Sequence, residues 1–194
     1  MEITSTQIKE LRDKTGISVM QCKKALEEAE GDMDKALIIL KKKRSEAADK
    51  KSDRVLAAGT IGAYIHNTNE VAALIVLACE TDFVSKNEEF IALARDIAMH
   101  VAALNPQFIS RDQVDEVALV KAKEVFAAEI VDKPKEMQEK ILDGKINAYF
   151  KEQILLEQSF IKNPDTTIGE LVNGAVQKFG ENVMVTEMSR LSVK

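Results

Sequence analysis

Eight consecutive apolar residues, Val71-Ala-Ala-Leu-Ile-Val-Leu-Ala78, constrain the fold of this chain more than any other stretch. Three of them are β-branched, and the run falls well short of the roughly 18 residues that a membrane-spanning helix needs. A short apolar run of this kind reads as a buried strand. Soon afterwards the period changes: Glu88 to Leu104 places Ile91, Leu93, Ala94, Ile97, Ala98, Val101 and Leu104 at helical spacing. Between strand and helix lies Thr81-Asp82-Phe83-Val84. A rigid scaffold aims such a strand-to-helix loop, which makes it a favoured place for function. There an Asp beside a Phe is either a turn with an anchoring aromatic or a probe offered to a partner.

Around this centre the pattern predicts a small sheet. Gly59 to His66 alternates Ile61, Ala63 and Ile65 against Gly62, Tyr64 and His66, as a strand with one buried face does. Asn67-Thr-Asn69 supplies turn residues, so the two strands form an antiparallel hairpin. The final stretch from Glu181 also alternates, putting Val183, Val185, Glu187, Ser189, Leu191 and Val193 on one side as a third strand. Before it, Thr167 caps a helix from Ile168 to about Lys178, with Glu170 placed for a capping box and Gly180 closing the end. Asp112 to Ile130 and Glu136 to Phe160 read as two long helices broken at Asp132-Lys-Pro134. They predict a protruding helical hairpin over about 112–160, with Val117, Val120, Val125 and Ile130 facing Ile141, Ile146, Phe150, Ile154 and Leu155.

The start of the chain keeps to the helical period. Thr4 or Ser5 caps a first helix that ends at Thr15-Gly16; a second begins near Ser18 and buries Cys22, Ala25, Leu26 and Ala29. Gly31-Asp32 breaks it, and Asp32 caps a third helix carrying Ala36, Leu37 and Leu40. Ser45 to Asp53 holds no large apolar residue and reads as a connector. The expected class is α+β: a three-helix module over 1–52, then a core over 53–194 in which a three-stranded antiparallel sheet packs on helices.

Composition narrows the function. The first 54 residues hold 13 of the 27 basic and 11 of the 32 acidic side chains, which leaves 14 and 21 for the rest. A nucleic-acid-binding domain shows a clear basic excess, and none appears here, so no direct nucleic-acid partner is expected. Lys41-Lys-Lys-Arg44 is interrupted downstream by Glu46, Asp49 and Asp53 and reads as a solvated helix end. The Met1-Glu-Ile-Thr-Ser start lacks the basic and apolar stretches of a signal peptide, and two cysteines are too few for a disulfide framework. A cytoplasmic protein with reduced thiols, no metal and no membrane partner is the expectation. His66 reads as an exposed polar residue, and His100, within Ala98-Met-His-Val-Ala102, as a partly buried structural one. Glu80 and Asp82 alone do not make an acid–base pair, and no phosphate-binding loop or nucleophile elbow is present. The residues point to a binding protein without cofactors.

Two stretches are similar to signatures of the elongation factor Ts family, the guanine-nucleotide exchange factors of elongation factor Tu. They are Leu11-Arg-Asp-Lys-Thr-Gly-Ile-Ser-Val-Met-Gln-Cys-Lys-Lys-Ala-Leu26 and Glu80-Thr-Asp-Phe-Val-Ser-Lys86, with support from Ile97-Ala-Met-His-Val-Ala-Ala103 and Leu156-Glu-Gln-Ser-Phe-Ile-Lys162. The resemblance implies that the N-terminal module is of the ubiquitin-associated-like type and docks on the nucleotide domain of elongation factor Tu near Val19 and Met20. It implies that Phe83 wedges between helices of the partner while Asp82 disturbs the magnesium shell, with Thr81 and Val84 fixing the aim of the loop. His100 would lie on a partner-facing surface. The single hairpin-plus-helices unit resembles the short form of the family, which implies a homodimer. The rival reading is an interaction module that binds other partners through its N-terminal helices.

Overall fold

The computed structural model describes residues 3–130 and 134–193. Its first three helices are each started by the side chain that the sequence offers. Helix α1 (Ser5–Thr15) is capped by Thr4 in a reciprocal box with Gln7, and ends at Gly16, whose φ of 68° is the left-handed conformation that glycine adopts without a Cβ clash. Ser18 caps α2 (Val19–Glu28), and Asp32 caps α3 (Met33–Asp49). Leu11, Ile17, Cys22, Ala25, Leu26, Ala36 and Leu40 form their shared apolar core.

Helix α3 is long enough to leave that core and reach the next one, where Ala48 packs. Arg44 on the same helix donates to the carbonyl of Thr15 at 3.2 Å and to that of Glu170 at 3.4 Å. It thereby ties the end of α1 to the helix α8 (Ile168–Phe179).

Three strands, β1 (Ala58–Ile65), β2 (Val71–Cys79) and β5 (Val183–Ser192), make an antiparallel sheet in the order β1-β2-β5. The apolar run is therefore the central strand. The α+β class expected from the pattern is the one found. Helix α5 (Glu88–Leu104) lies on one face of the sheet, and Phe90, Ala94, Ile97, Ala98 and Val101 bury against Ala73, Ile75 and Leu77. Burial of side chains such as Phe90 and Ile97 stabilises by about 1.5–3 kcal/mol each. Contact with β1 is close: a Cβ on Gly62 would stand 2.1 Å from the carbonyl oxygen of Ala94, so only glycine fits there. The buried face of β1 carries Gly62 and Tyr64, while Ile61 and Ile65 are 66 % and 67 % exposed.

The last strand does not keep one face throughout. Val76 pairs with Glu187 but Leu77 with Val185, so Thr186 is an extra residue, a β-bulge. Val183 and Val185 point into the core, and beyond the bulge Met188 takes that side while Leu191 is 70 % exposed. The expected single face from Val183 to Val193 is corrected accordingly. Among the described residues, Ile61, Ile65, Leu74 and Leu191 are large apolar side chains exposed on this sheet.

The helical hairpin also differs from its expected form. Helix α6 spans Glu116–Glu129 and α7 Lys135–Lys151, after which the chain makes a 3-10 turn at Leu155–Glu157. A two-stranded ribbon of β3 (Ser159–Phe160) and β4 (Asn163–Thr167) follows. The second helix stops short of Phe160 because residues 153–156 bond elsewhere. The Gln153 carbonyl accepts from the N–H groups of Gln107 and Phe108, and the Leu155 N–H donates to the Phe108 carbonyl. Val117, Val120 and Val125 are exposed, and Ala118, Leu119, Ala122 and Phe126 take the inner side against Leu142, Ile146 and Phe150. Leu155 belongs to the main core. Of the predicted break, Asp132 and Lys133 lie outside the described residues; Pro134 is the N-cap position of α7.

Candidate functional site

Where β2 ends, the backbone of Thr81 is still extended (φ −126°, ψ 156°), and the next four residues close one helical turn, α4 (Asp82–Ser85). Thr81 Oγ accepts from the N–H of Val84 at 3.5 Å, the contact of an N-cap. The hydroxyl of Ser85 donates to the carbonyl of Asp82 at 3.1 Å, and Asn87 caps the following α5. Val84 and Ser85 are buried, so the turn is anchored on its inner side. Phe83 faces the other way and is 81 % exposed.

A ring this exposed contributes little to its own core, and almost its whole apolar surface is left for burial against a partner. Beside it the carboxylate of Asp82 pairs with Lys86 one turn on, at 2.7 Å. The hydrogen bond and charge of Lys86 hold the Asp82 carboxyl below the usual carboxylate range, so it is ionised at neutral pH. The tip therefore offers one aromatic face beside an ionised carboxylate that is paired with Lys86.

The root of the turn is held by residues far along the chain. Glu181, just past the left-handed Gly180 that ends α8, accepts from the N–H of Glu80 and the N–H of Thr81, each at 3.0 Å. It also accepts from Thr81 Oγ at 2.5 Å. In the opposite sense, Glu80 accepts from the N–H of Asn182 at 2.6 Å and from Arg54 at 3.3 Å. The bond from Asn182, and then the Arg54 guanidinium, hold the Glu80 carboxyl low. Asn182 is buried, and its side-chain amide donates to the carbonyls of Ser52 and Arg54 at 3.2 Å each. The thiol of Cys79 donates to the Thr81 carbonyl at 3.2 Å, and burial, together with the nearby Glu181 charge, raises its pKa. A thiol kept protonated is a weak nucleophile.

The structure thus brings Thr81, Asp82, Phe83 and Val84 into one turn, with Val84 as anchor and Phe83 as tip. Val19 and Met20 stand on the first turn of α2, at 50 % and 66 % exposure. They belong to a separate element. His100 is different: it is fully buried, with Nε2 against the Oε1 of Gln158 at 2.9 Å and Nδ1 accepting from the N–H of Ile161 at 3.4 Å. The expectation of a partner-facing His100 is corrected, because both ring nitrogens are used inside the core. Burial lowers its pKa and so favours the neutral ring, outweighing the opposite effect of the bond to Gln158. Sequence reasoning missed Glu181, Asn182 and Arg54; no local motif marks them, since their partners lie up to 130 residues away. Among the described residues, no group of three or more His, Cys, Asp or Glu side chains is placed to hold a metal ion. No helix is long and apolar enough to cross a membrane, again among the described residues.

This architecture, an exposed Phe on a buttressed turn between a buried strand and a helix, lies inside a stretch with an independent match. The model of the family described as Elongation factor TS matches residues 48–194. Relatives extend the likeness through the N-terminal helices. The elongation factor Ts of Thermodesulfovibrio yellowstonii is 46 % identical over 194 residues, covering 100 % of this chain and 97 % of that protein. That of Syntrophus aciditrophicus is 45 % identical over 192 residues, covering 98 % and 96 %. For Alkaliphilus oremlandii the figures are 42 % over 195 residues, with 100 % and 90 % covered. The chain belongs to the elongation factor Ts family. The resemblance carried by the motifs at Leu11–Leu26 and Glu80–Lys86 is therefore borne out at the level of the family.

Proposed function

We propose that this chain is a guanine-nucleotide exchange factor for elongation factor Tu, working in the cytoplasm during translation elongation. The observation that carries the reading is Phe83, exposed at the tip of a turn whose inner residues and root are fixed. A pre-aimed ring costs little to order on binding, so most of its burial energy remains for the partner's rearrangement. In this reading Phe83 enters between helices of the partner, Asp82 disturbs the magnesium shell, and the phosphate loop loosens its hold on GDP. No covalent bond is made or broken: the effect is coupling between two binding equilibria, and GDP must weaken factor binding as much as the factor weakens GDP binding.

The separate apolar cores support a division of labour in which 1–52 docks through Val19 and Met20 while 53–194 carries the exchange turn and the hairpin. The exposed sheet side chains Ile61, Ile65, Leu74 and Leu191 support a homodimer, since a self-complementary patch suits a two-fold interface. Release of a fluorescent GDP from elongation factor Tu, in millimolar magnesium with and without this chain, tests the reading. It requires acceleration that rises with factor concentration and saturates; an unchanged release rate with folded protein would refute it.

A further inference from the structure

We infer that Glu181 is a positioning residue for exchange, which sets the direction in which the α4 turn presents Asp82 and Phe83. The inference rests on the exchange reading above. A helix of four residues has too few internal hydrogen bonds to hold its own orientation, so its ends must be fixed from outside. The downstream end is fixed by packing, through Val84 and Ser85. At the upstream end three donors, the N–H groups of Glu80 and Thr81 and the Thr81 hydroxyl, converge on the single carboxylate of Glu181. Hydrogen bonds to an ionised acceptor are about twice as strong as neutral ones.

Glu181 itself stands on a fixed support. Gly180 turns the chain at φ 74°, and Asn182 is locked between Glu80 and the carbonyls of Ser52 and Arg54. Two neighbours on one side thus bind two neighbours on the other crosswise, Glu181 holding Thr81 and Asn182 holding Glu80. Without the carboxylate, the N–H groups of Glu80 and Thr81 pass to water and the turn swings about Thr81. Docking through the N-terminal helices does not depend on that orientation. Only the fraction of docked complexes with the turn correctly aimed proceeds to release, so the maximal rate falls by that fraction while the half-saturating concentration stays.

The test uses the full chain with Glu181→Ala and Glu181→Gln, the latter keeping a carbonyl acceptor for the N–H pair. Glu181→Ala is expected to lower the maximal rate of GDP release from elongation factor Tu about tenfold, and to change the half-saturating concentration less than about threefold. Glu181→Gln is expected to recover most of the rate. In the free protein, amide exchange at Glu80 and Thr81 is expected to quicken at least roughly tenfold in Glu181→Ala and to stay protected in Glu181→Gln. Unaltered amide protection, or a full maximal rate in Glu181→Ala while Phe83→Ala is impaired, would overturn the inference and leave the exchange reading standing. A failure of the unaltered chain to stimulate release would overturn both.

Discussion

Glu181 reaches back a hundred residues to Thr81 and accepts hydrogen bonds from both its backbone N–H and its hydroxyl, at 3.0 and 2.5 Å. This link joins the end of the central strand to the beginning of the last one, and it sits at the root of the turn that exposes the Phe83 ring. The tip is open to a partner but fixed in placement. Within the turn Thr81 caps, Val84 anchors, and Asp82 and Phe83 are presented.

Thr81→Ala removes the N-cap and the hydroxyl on Glu181 together. The expected loss of stability is about 1 kcal/mol, typical of a deleted cap, and Thr81→Ser is expected to restore it. Urea midpoints of the two variants decide the point; equal midpoints would mean that the cap contact carries no stability.

Met20 is exposed on α2, far along the chain from the turn, so its proposed role is docking and not release. Burial of a Met side chain in an interface contributes about 1.5–3 kcal/mol. Met20→Ala is accordingly expected to raise the half-saturating concentration roughly tenfold or more, with the maximal rate unchanged. A lowered maximal rate at unchanged half-saturation would assign Met20 to the release step instead.

His100 supplies a pH dependence. Its folded-state pKa is depressed by burial, so the unfolded chain binds a proton more readily than the folded one. The neutral ring's stabilisation is complete above about pH 6.5, the unfolded value, and is lost as pH falls through the folded value. One such group gives a slope of at most about 1.4 kcal/mol per pH unit. Unfolding free energy measured from pH 8 down to 5 is expected to fall more steeply for the unaltered chain than for His100→Gln. Parallel curves would show that His100 titrates alike in both states.

The exposed sheet face gives a prediction about assembly. Ile61→Lys places a charge on a surface side chain without touching the Gly62–Ala94 contact on the other face. It is expected to leave circular dichroism unchanged and, for the homodimer proposed above, to shift sedimentation equilibrium to monomers. A dimer that survives the substitution would place the interface elsewhere.

Much of the fold was legible because the signals are local. Thr4 with Gln7, Ser18, Asp32 and the Thr167–Glu170 box each start a helix within three residues of the capping side chain. The run from Val71 to Ala78 marks the central strand for the same reason. What escaped depends on tertiary contacts. Ile154 and Leu155 continue a helical spacing, yet residues 153–156 pair with Gln107–Ile109, and no Gly or Pro announces the stop. The bulge at Thr186 reverses the faces of the last strand with no change in its alternation. The exposure of Val117 and Val125 was equally hidden, because α6 carries apolar residues on more than one side. At the candidate site, the sequence marks Thr81 to Val84 by position, whereas the support from Glu181 and Asn182 exists only once strand and helix are assembled.

The central claim is that burial of the Phe83 ring drives nucleotide release. The most direct measurement is the maximal rate of fluorescent GDP release from elongation factor Tu at saturating factor, for the unaltered chain and for Phe83→Ala. Because the ring is 81 % exposed, the variant is expected to keep its fold and its unfolding midpoint. If burial of the ring favours the nucleotide-loosened state by about 1.5–3 kcal/mol, its loss lowers the stimulated rate roughly ten- to a hundredfold. A folded Phe83→Ala protein that stimulates release as fast as the unaltered chain would contradict the account.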